Sequence, residues 1–258
     1  METFKIVLNE KYLNNTGRRN LKRFTLGVLA SGRGSNFQSI INHIRLRVLE
    51  NVRIGILVCN NEDAYALKIA EQNGIESKFI DHRNKEREVF DKEVVEILRN
   101  YNVDLVILSG FMRVLSPYFI DEYQHKIMNI HPALLPSFPG LHAQRQAIDY
   151  GVKVSGCTIH YVDKGVDIGP IILQHAVPIR EDDTEETLSD RILIFEHRLY
   201  PKAIQLHSDN RLKIEGRRVK IDYSDNWEEE WDKRQRAYID YQKDKWEREG
   251  KPLDKVLG

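Results

Sequence analysis

Residues 126–140 read KIMNIHPALLPSFPG, a short apolar run that leads directly into a proline-rich turn. The run up to Ile130 is typical of a buried strand. Pro132 and Pro136 cannot extend it, because proline has no backbone N–H to donate to a strand ladder. Asn129 and His131 therefore lie where a strand ends and the chain turns. In an open α/β sheet ligands bind at that edge, so we expect a site there.

The rest of the chain alternates between apolar runs and helical periodicity. Strands are predicted at 24–30, 52–59, 77–80, 103–108, 126–130, 154–162 and 170–174. Helices are predicted from 36, at 63–73, 85–100 and 141–150, and over 184–207. This pattern predicts an α/β protein with an open, mostly parallel, doubly wound, Rossmann-like sheet. We divide the chain into an N-terminal extension (1–23), a main domain (24–215) and a charged, aromatic-rich C-terminal helical extension (216–258).

Composition narrows the class of protein. The 258 residues include 39 basic and 39 acidic side chains, so no net positive charge favours nucleic acid. Cys59 and Cys157 lie in apolar segments without metal-ligand spacing, which favours a reducing compartment. No apolar run approaches the ~20 residues of a membrane span, and residues 1–24 do not resemble a secretory signal. We expect a cytoplasmic protein with small-molecule ligands, either a monomer or a homodimer.

The first predicted strand runs into a glycine-rich turn, SGRGSN at residues 31–36, and then into a helix. Glycines let the backbone approach a phosphate closely, and a helix N-terminus favours an anion. Phe37 replaces the third glycine of the dinucleotide fingerprint, and the P-loop lysine is missing. A single phosphomonoester therefore fits better than a dinucleotide or a nucleoside triphosphate. The alternative is an ordinary tight turn between strand and helix.

Two further segments carry candidate site residues. Residues 110–115, GFMRVL, follow a buried strand, and Arg113 is hard to explain as core because an unpaired guanidinium is rarely buried. The turn at 163–169 carries Asp163 and Asp167. A carboxylate that reaches His131 would orient the ring and favour its charged form. The alternative for both is a turn-forming aspartate, and for Asp163 we prefer it.

With these motifs assembled, residues 24–215 resemble the phosphoribosylglycinamide formyltransferase family, the folate-dependent formyltransferases of purine synthesis. Four stretches carry the resemblance: 31–36, 110–115, 129–146 and 166–170. It implies a sheet of the formyltransferase type and formyl transfer from 10-formyltetrahydrofolate, a co-substrate, to the amine of 5′-phosphoribosylglycinamide, with no metal. Alternatives on the same fold are a formyltetrahydrofolate hydrolase and an amino-sugar N-formyltransferase. A non-catalytic nucleotide-binding module is a third possibility, which would leave His131 and Asp167 unexplained.

The resemblance also assigns roles to individual positions. The catalytic residues it implies are Asn129, His131 and Asp167. The residues that would hold the ribonucleotide are Gly34, Ser35, Asn36 and Glu196. The residues that would line the folate site are Arg87, Met112, Arg113, Val114, Leu115, Asn129, Asp163, Lys164, Gly165, Val166 and Asp167.

The C-terminal extension contains an aromatic stripe. Trp227, Trp231, Tyr238 and Tyr241 follow one another at spacings of four, seven and three, which places them on one side of a helix over about 226–249. Exposed clusters of this kind usually mark an interface. We therefore expect the stripe to pack against the main domain or a second subunit, and to contribute stability rather than chemistry.

Overall fold

The computed structural model describes residues 23–250. Residues 1–22 of the predicted N-terminal extension (1–23) and the last eight residues lie outside that range. The strands are β1 (Phe24–Ala30), β2 (Val52–Cys59), β3 (Ser77–Phe79), β4 (Leu105–Leu108), β5 (Ile127–His131), β6 (Val154–Tyr161), β7 (Ile171–Pro178), β8 (Leu212–Glu215) and β9 (Arg218–Ile221). The helices are α1 (Ser35–Arg45), α2 (Tyr65–Gln72), α3 (Arg87–Asn100), α4 (Pro117–Glu122), α5 (Ala143–Tyr150), α6 (Glu185–Ser208) and α7 (Trp227–Arg248).

The described strands form one sheet in the order β3-β2-β1-β4-β5-β6-β7-β9-β8. From β3 to β5 every pairing is parallel, and β5, β6 and β7 then pair antiparallel. The prediction of a mostly parallel, doubly wound α/β sheet is confirmed. The chain order reverses at β1, whose neighbours are β2 and β4, and such a switch point opens a crevice at the carboxyl ends of the strands.

Helices cover both faces of the sheet, as the packing of side chains on the two faces of β1 shows. Leu26 and Val28 belong to one buried cluster, which also contains side chains of α1, α2, α6 and α7. Leu29 belongs to a second cluster, packed against α3 and α4. Because neighbouring side chains on a strand point to opposite faces, a strand buried on both sides is a continuous apolar run. This is why the parallel strands could be recognised in the sequence.

The predictions for residues 208–225 need correction. Residues 212–221 form a β-hairpin, β8–β9, and β9 adds to the sheet beside β7. Gly216 lies in its turn with φ +62°, so the predicted boundary between 215 and 216 separates two paired strands. We therefore propose that the main domain runs through Ile221. The structure also contains α4, which was not predicted, and β7 extends to Pro178 instead of ending at residue 174.

Helix α7 packs against the main domain. Trp227, Trp231 and Tyr238 are buried in the same cluster as the core of β1 and α6, and Tyr241 packs against its edge. The prediction that the aromatic stripe is buried is confirmed, and the surface that covers it belongs to this same chain. No helix within residues 23–250 combines the length and apolarity that crossing a membrane requires.

Buried histidines make the stability of this fold depend on pH. Burial lowers the pKa of His43 and His207 to about 4 and that of His197 to about 3, from an ordinary value of 6.5. Below pH 6.5 the unfolded chain protonates these rings while the folded protein does not, so the unfolded state binds more protons down to about pH 4. We therefore expect the protein to be fully stable above pH 6.5, the ordinary pKa of histidine. Its melting temperature should fall as the solution is acidified from about pH 7 to about pH 5.

Thermal unfolding at constant ionic strength over that range measures the slope. His207→Gln provides a matched variant, because Gln can still bond the Tyr161 hydroxyl, which lies 2.7 Å from the His207 Nδ1, but does not titrate. Its slope should be shallower than that of the wild type. A melting temperature that stays constant or rises on acidification would contradict the prediction.

Candidate active site

Strand β5 carries Asn129 and His131 to its carboxyl end. Residues two apart on a strand share a face, so both side chains lie on the same side of the sheet, with the buried Ile130 between them on the other. Asn129 pairs with His160 and His131 with Thr158 in the antiparallel register of β6. His131 is only 4% exposed. The proline-rich turn therefore begins where an almost completely buried imidazole ends the strand.

Asp167 meets His131 at this position. Its Oδ2 lies 3.3 Å from the Nδ1 of His131 and accepts a hydrogen bond of 2.8 Å from the backbone N–H of Gly140. Asp167 has φ +53°, in the left-handed region that aspartate tolerates better than most residues. Two loops that are distant in sequence, 132–142 and 163–169, are thereby joined across the ring of His131. The structure brings the predicted pair together.

The hydrogen bonds of His131 indicate which nitrogens carry protons. Its Nε2 lies 2.7 Å from the carbonyl oxygen of Phe138, which can only accept, so Nε2 must donate. The Asp167 carboxylate, which is also an acceptor, lies beside Nδ1. Both ring nitrogens therefore face hydrogen-bond acceptors. In this conformation the Nε2 proton is engaged by Phe138, whose φ of +52° is unusual for a bulky residue.

His160 is a site residue that the sequence reasoning missed. Its Nδ1 lies 2.9 Å from the carbonyl of Tyr161 and therefore donates, which leaves Nε2 as an acceptor 3.4 Å from the amide nitrogen of Asn129. The Oδ1 of Asp167 lies 3.6 Å from the same Nε2. Burial lowers the pKa of His160, so the ring is neutral and can accept. It orients the Asn129 amide. Its only signal in the sequence is a histidine within an otherwise apolar strand.

The glycine-rich turn stands at the start of α1, beside α6. Gly34 precedes the helix with φ +71°, and a Cβ there would lie 2.9 Å from the Cβ of Ala66, so glycine is required. Asn36 donates a 2.8 Å hydrogen bond from Nδ2 to Oε2 of Glu196. Burial raises the pKa of the Glu196 carboxyl, and the Asn36 amide opposes that rise. The four predicted ribonucleotide residues, including Ser35 at the first position of α1, are thereby drawn together around the helix N-terminus, a favourable place for a phosphate.

The predicted folate residues form a more open surface. Met112 is 67% exposed, and Val114 and Val166 are each 50% exposed. Exposed apolar side chains of this size are available to contact a ligand. Leu115 differs from the rest, because it is buried in the core beside α3.

Two arginines are among the predicted folate residues. The guanidinium of Arg113 lies 4.7 Å from the ring centroid of Phe90, a cation–π contact that explains how it is accommodated. Arg87 begins α3 and, like Arg113, acts electrostatically on the buried Asp91. Both arginines therefore lie around one carboxylate.

The loop at 163–167 carries the remaining predicted folate residues. Asp163 accepts a hydrogen bond of 2.7 Å from the backbone N–H of Lys164, the role of a turn aspartate. The Nζ of Lys164 lies 2.8 Å from the carboxylate of Asp121. Gly165 and Val166 connect this pair to Asp167. In the part of the chain that the structure describes, no group of three or more His, Cys, Asp or Glu side chains could hold a metal ion.

Comparison with known proteins agrees with this geometry. The sequence model of the formyl transferase family matches residues 25–204. Phosphoribosylglycinamide formyltransferase of Escherichia coli (strain K12) is 39% identical over 188 residues, which cover 72% of this chain and 88% of that protein. The crystal structure of glycinamide ribonucleotide transformylase 1 from Symbiobacterium toebii is 46% identical with a TM-score of 0.77, and the match covers 81% of this chain and 98% of that one.

A longer relative is also similar. The trifunctional purine biosynthetic protein adenosine-3 of Bos taurus is 41% identical over 218 residues. The match covers 83% of this chain but 22% of that protein. The chain therefore spans about a fifth of the length of that relative.

Proposed function

The chain belongs to the formyl transferase family, and we propose that it transfers a formyl group from 10-formyltetrahydrofolate to the amine of 5′-phosphoribosylglycinamide, in purine biosynthesis. The observation that carries the proposal is the arrangement of two half-sites. His131 and Asp167 lie 3.3 Å apart at the carboxyl end of β5, and Asn36 bonds Glu196 beside a helix N-terminus suited to a phosphate. A metal is not required by this chemistry.

The reaction needs a stabilised oxyanion and a route for one proton. The acceptor amine forms a bond to the formyl carbon, and negative charge develops on the formyl oxygen. The amide of Asn129 and the imidazolium of His131 would stabilise that charge, which is usually the largest catalytic contribution. As the bond from carbon to the folate nitrogen breaks, His131 would help to move the proton from the amine to that nitrogen. Asp167 holds the ring throughout.

The hydrogen bond to Phe138 sets a condition on this mechanism. The Nε2 proton of His131 is donated to the Phe138 carbonyl at 2.7 Å. A formyl oxygen that receives this proton must replace that carbonyl as the acceptor. We therefore propose that binding of the donor shifts the turn that contains Phe138.

We also propose which residues bind the folate donor and in which compartment the protein acts. Arg87, Arg113 and the exposed apolar residues around Met112 would hold the folate, together with the loop at 163–167. Cys59 and Cys157 are free and buried, which is compatible with a reducing cytoplasm. The protein would act on small molecules, not on nucleic acid or membranes, as a monomer or a homodimer.

One experiment separates this function from the alternatives. Purified protein is given 10-formyltetrahydrofolate with 5′-phosphoribosylglycinamide, with an amino sugar, or with no acceptor, and release of deformylated folate is followed. We expect release only with 5′-phosphoribosylglycinamide. Release without an acceptor would indicate a hydrolase, and release only with the amino sugar would indicate the sister transferase. No release under any condition would favour a binding module.

The phosphate turn yields a separate prediction. Asn36→Ala removes the hydrogen bond to Glu196, whose buried carboxylate then loses its partner. The loss of a hydrogen bond to a charged group costs enough free energy that we expect the acceptor KM to rise by about ten- to a hundredfold. The donor KM should be nearly unchanged. Gln38→Ala is the matched control, because that amide is two residues further along α1 and bonds Asn42 instead of Glu196. Equal weakening of both substrates would contradict the assignment.

A further inference from the structure

A proline leaves one carbonyl of α6 without its usual donor. Pro201 lies inside the helix and has no N–H for the carbonyl four residues earlier, that of His197. Ser39 of α1 supplies the missing donor, with its hydroxyl 2.9 Å from the carbonyl oxygen of His197. His197 directly follows Glu196. The irregular turn of α6 that presents Glu196 is therefore fixed by a side chain of the helix that presents Asn36.

Helix α7 completes this contact. The Oη of Tyr238 lies 3.1 Å from the Oγ of Ser39. A serine hydroxyl has one proton, and Ser39 gives it to the His197 carbonyl, so Tyr238 donates to Ser39. Burial raises the pKa of Tyr238 to about 12, which keeps its proton in place. The Tyr238 ring lies against the ring of His43, with centroids 3.7 Å apart, and is 2% exposed.

Two glutamines extend the same contact along α6. Gln235 donates to the carbonyl of Arg198 at 3.0 Å, the next carbonyl after that of His197. Gln242 donates to the Tyr238 hydroxyl at 3.3 Å and accepts from the Nε of Arg198 at 3.4 Å. The bonds with Arg198 join α7 to the turn of α6 that the proline interrupts, and the bond from Gln242 to Tyr238 lies within α7. Helix α7, residues 227–248, lies outside the region that the family model matches.

We propose that Tyr238 is a positioning residue for the acceptor: through Ser39 it fixes α1 against α6 and so holds Asn36 opposite Glu196. This inference rests on the proposed function. A cavity of about 610 Å³ lies between α1, α6 and α7, and Ser35 and Tyr238 both line it. Helix α7 therefore borders the proposed phosphate end of the site, while His131 ends β5 and Asp167 lies in the loop at 163–169. The effect of Tyr238 falls on acceptor binding and not on the chemical step.

Tyr238→Phe tests this by removing one hydroxyl and keeping the ring. A neutral hydrogen bond contributes a modest free energy, so we expect the acceptor KM to rise by roughly three- to tenfold, with kcat and the donor KM within about twofold of wild type. Tyr241→Phe is the matched control. It lies three residues further along the same stripe, and its hydroxyl has no hydrogen bond within the described residues.

A double variant tests whether the effect passes through Ser39. Ser39→Ala breaks the same connection from the other side, so the variant with both changes should show an acceptor KM close to that of Ser39→Ala alone. Multiplying effects in the double variant would overturn the proposed route. A Tyr238→Phe protein with a lower melting temperature but an unchanged acceptor KM would overturn the inference while leaving the proposed function intact. Absence of acceptor-dependent turnover in the wild type would overturn both.

Discussion

Replacing His131 with alanine lowers kcat by about 10²–10⁴, the usual range for a positioned proton-transfer group. The imidazole is 4% exposed and lies between the Asp167 carboxylate and the Phe138 carbonyl. In the proposed mechanism, alanine removes both the ring that stabilises the developing oxyanion and the group that carries the proton. The acceptor KM should change little, because Asn36 and Glu196 lie at the other half-site.

Steady-state kinetics with both substrates measures this, and circular dichroism confirms that the variant folds. His125→Asn is the matched control. His125 is an exposed histidine just before β5, and its φ of +58° suits asparagine. The control should retain wild-type turnover. If His131→Ala also kept near-wild-type kcat, His131 would have no part in the chemical step.

The position of this histidine could be predicted because local sequence determines it. An apolar run that ends in prolines fixes both the strand and its end, and residues 129 and 131 must then share a face. The aromatic stripe of α7 was equally readable, since it depends only on helical period. Both features depend on neighbours within a few residues.

The contacts that complete the site depend on pairing between distant segments. His160 reaches Asn129 because β6 pairs antiparallel with β5 in one register, and a shift of one residue would have pointed it to the other face. Glu196 lies 160 residues from Asn36 and was assigned by resemblance, since a long helix with many charges singles out none of them. The hairpin at 212–221 was missed because each of its strands has only 4 residues, so the alternation of apolar and charged side chains is too short to stand out.

The second large effect concerns Trp231 in α7. Its side chain is fully buried, and it stacks on Trp227 with ring centroids 5.8 Å apart and planes 5° apart. Both rings belong to the core cluster that contains Tyr200 and Ala203 of α6. Trp231→Ala would leave a cavity in that core. Such substitutions cost about 3–5 kcal/mol, so we expect the melting temperature to fall by roughly 10 °C.

Trp246→Ala is the matched control, because this tryptophan lies on the same helix and is only partly buried at the edge of the cavity between α1, α6 and α7. It should cost far less stability. Removal of residues 222–258 would expose the whole core face that Trp227 and Trp231 cover, so we expect an unstable or associating protein. Where Trp231→Ala remains folded at the assay temperature, its kcat should stay within a few-fold of wild type, because none of the proposed catalytic side chains belongs to α7. If Trp231→Ala lost no more stability than Trp246→Ala, α7 would not be part of the core. If a folded Trp231→Ala protein bound both substrates without turning them over, α7 would have a role in the chemistry.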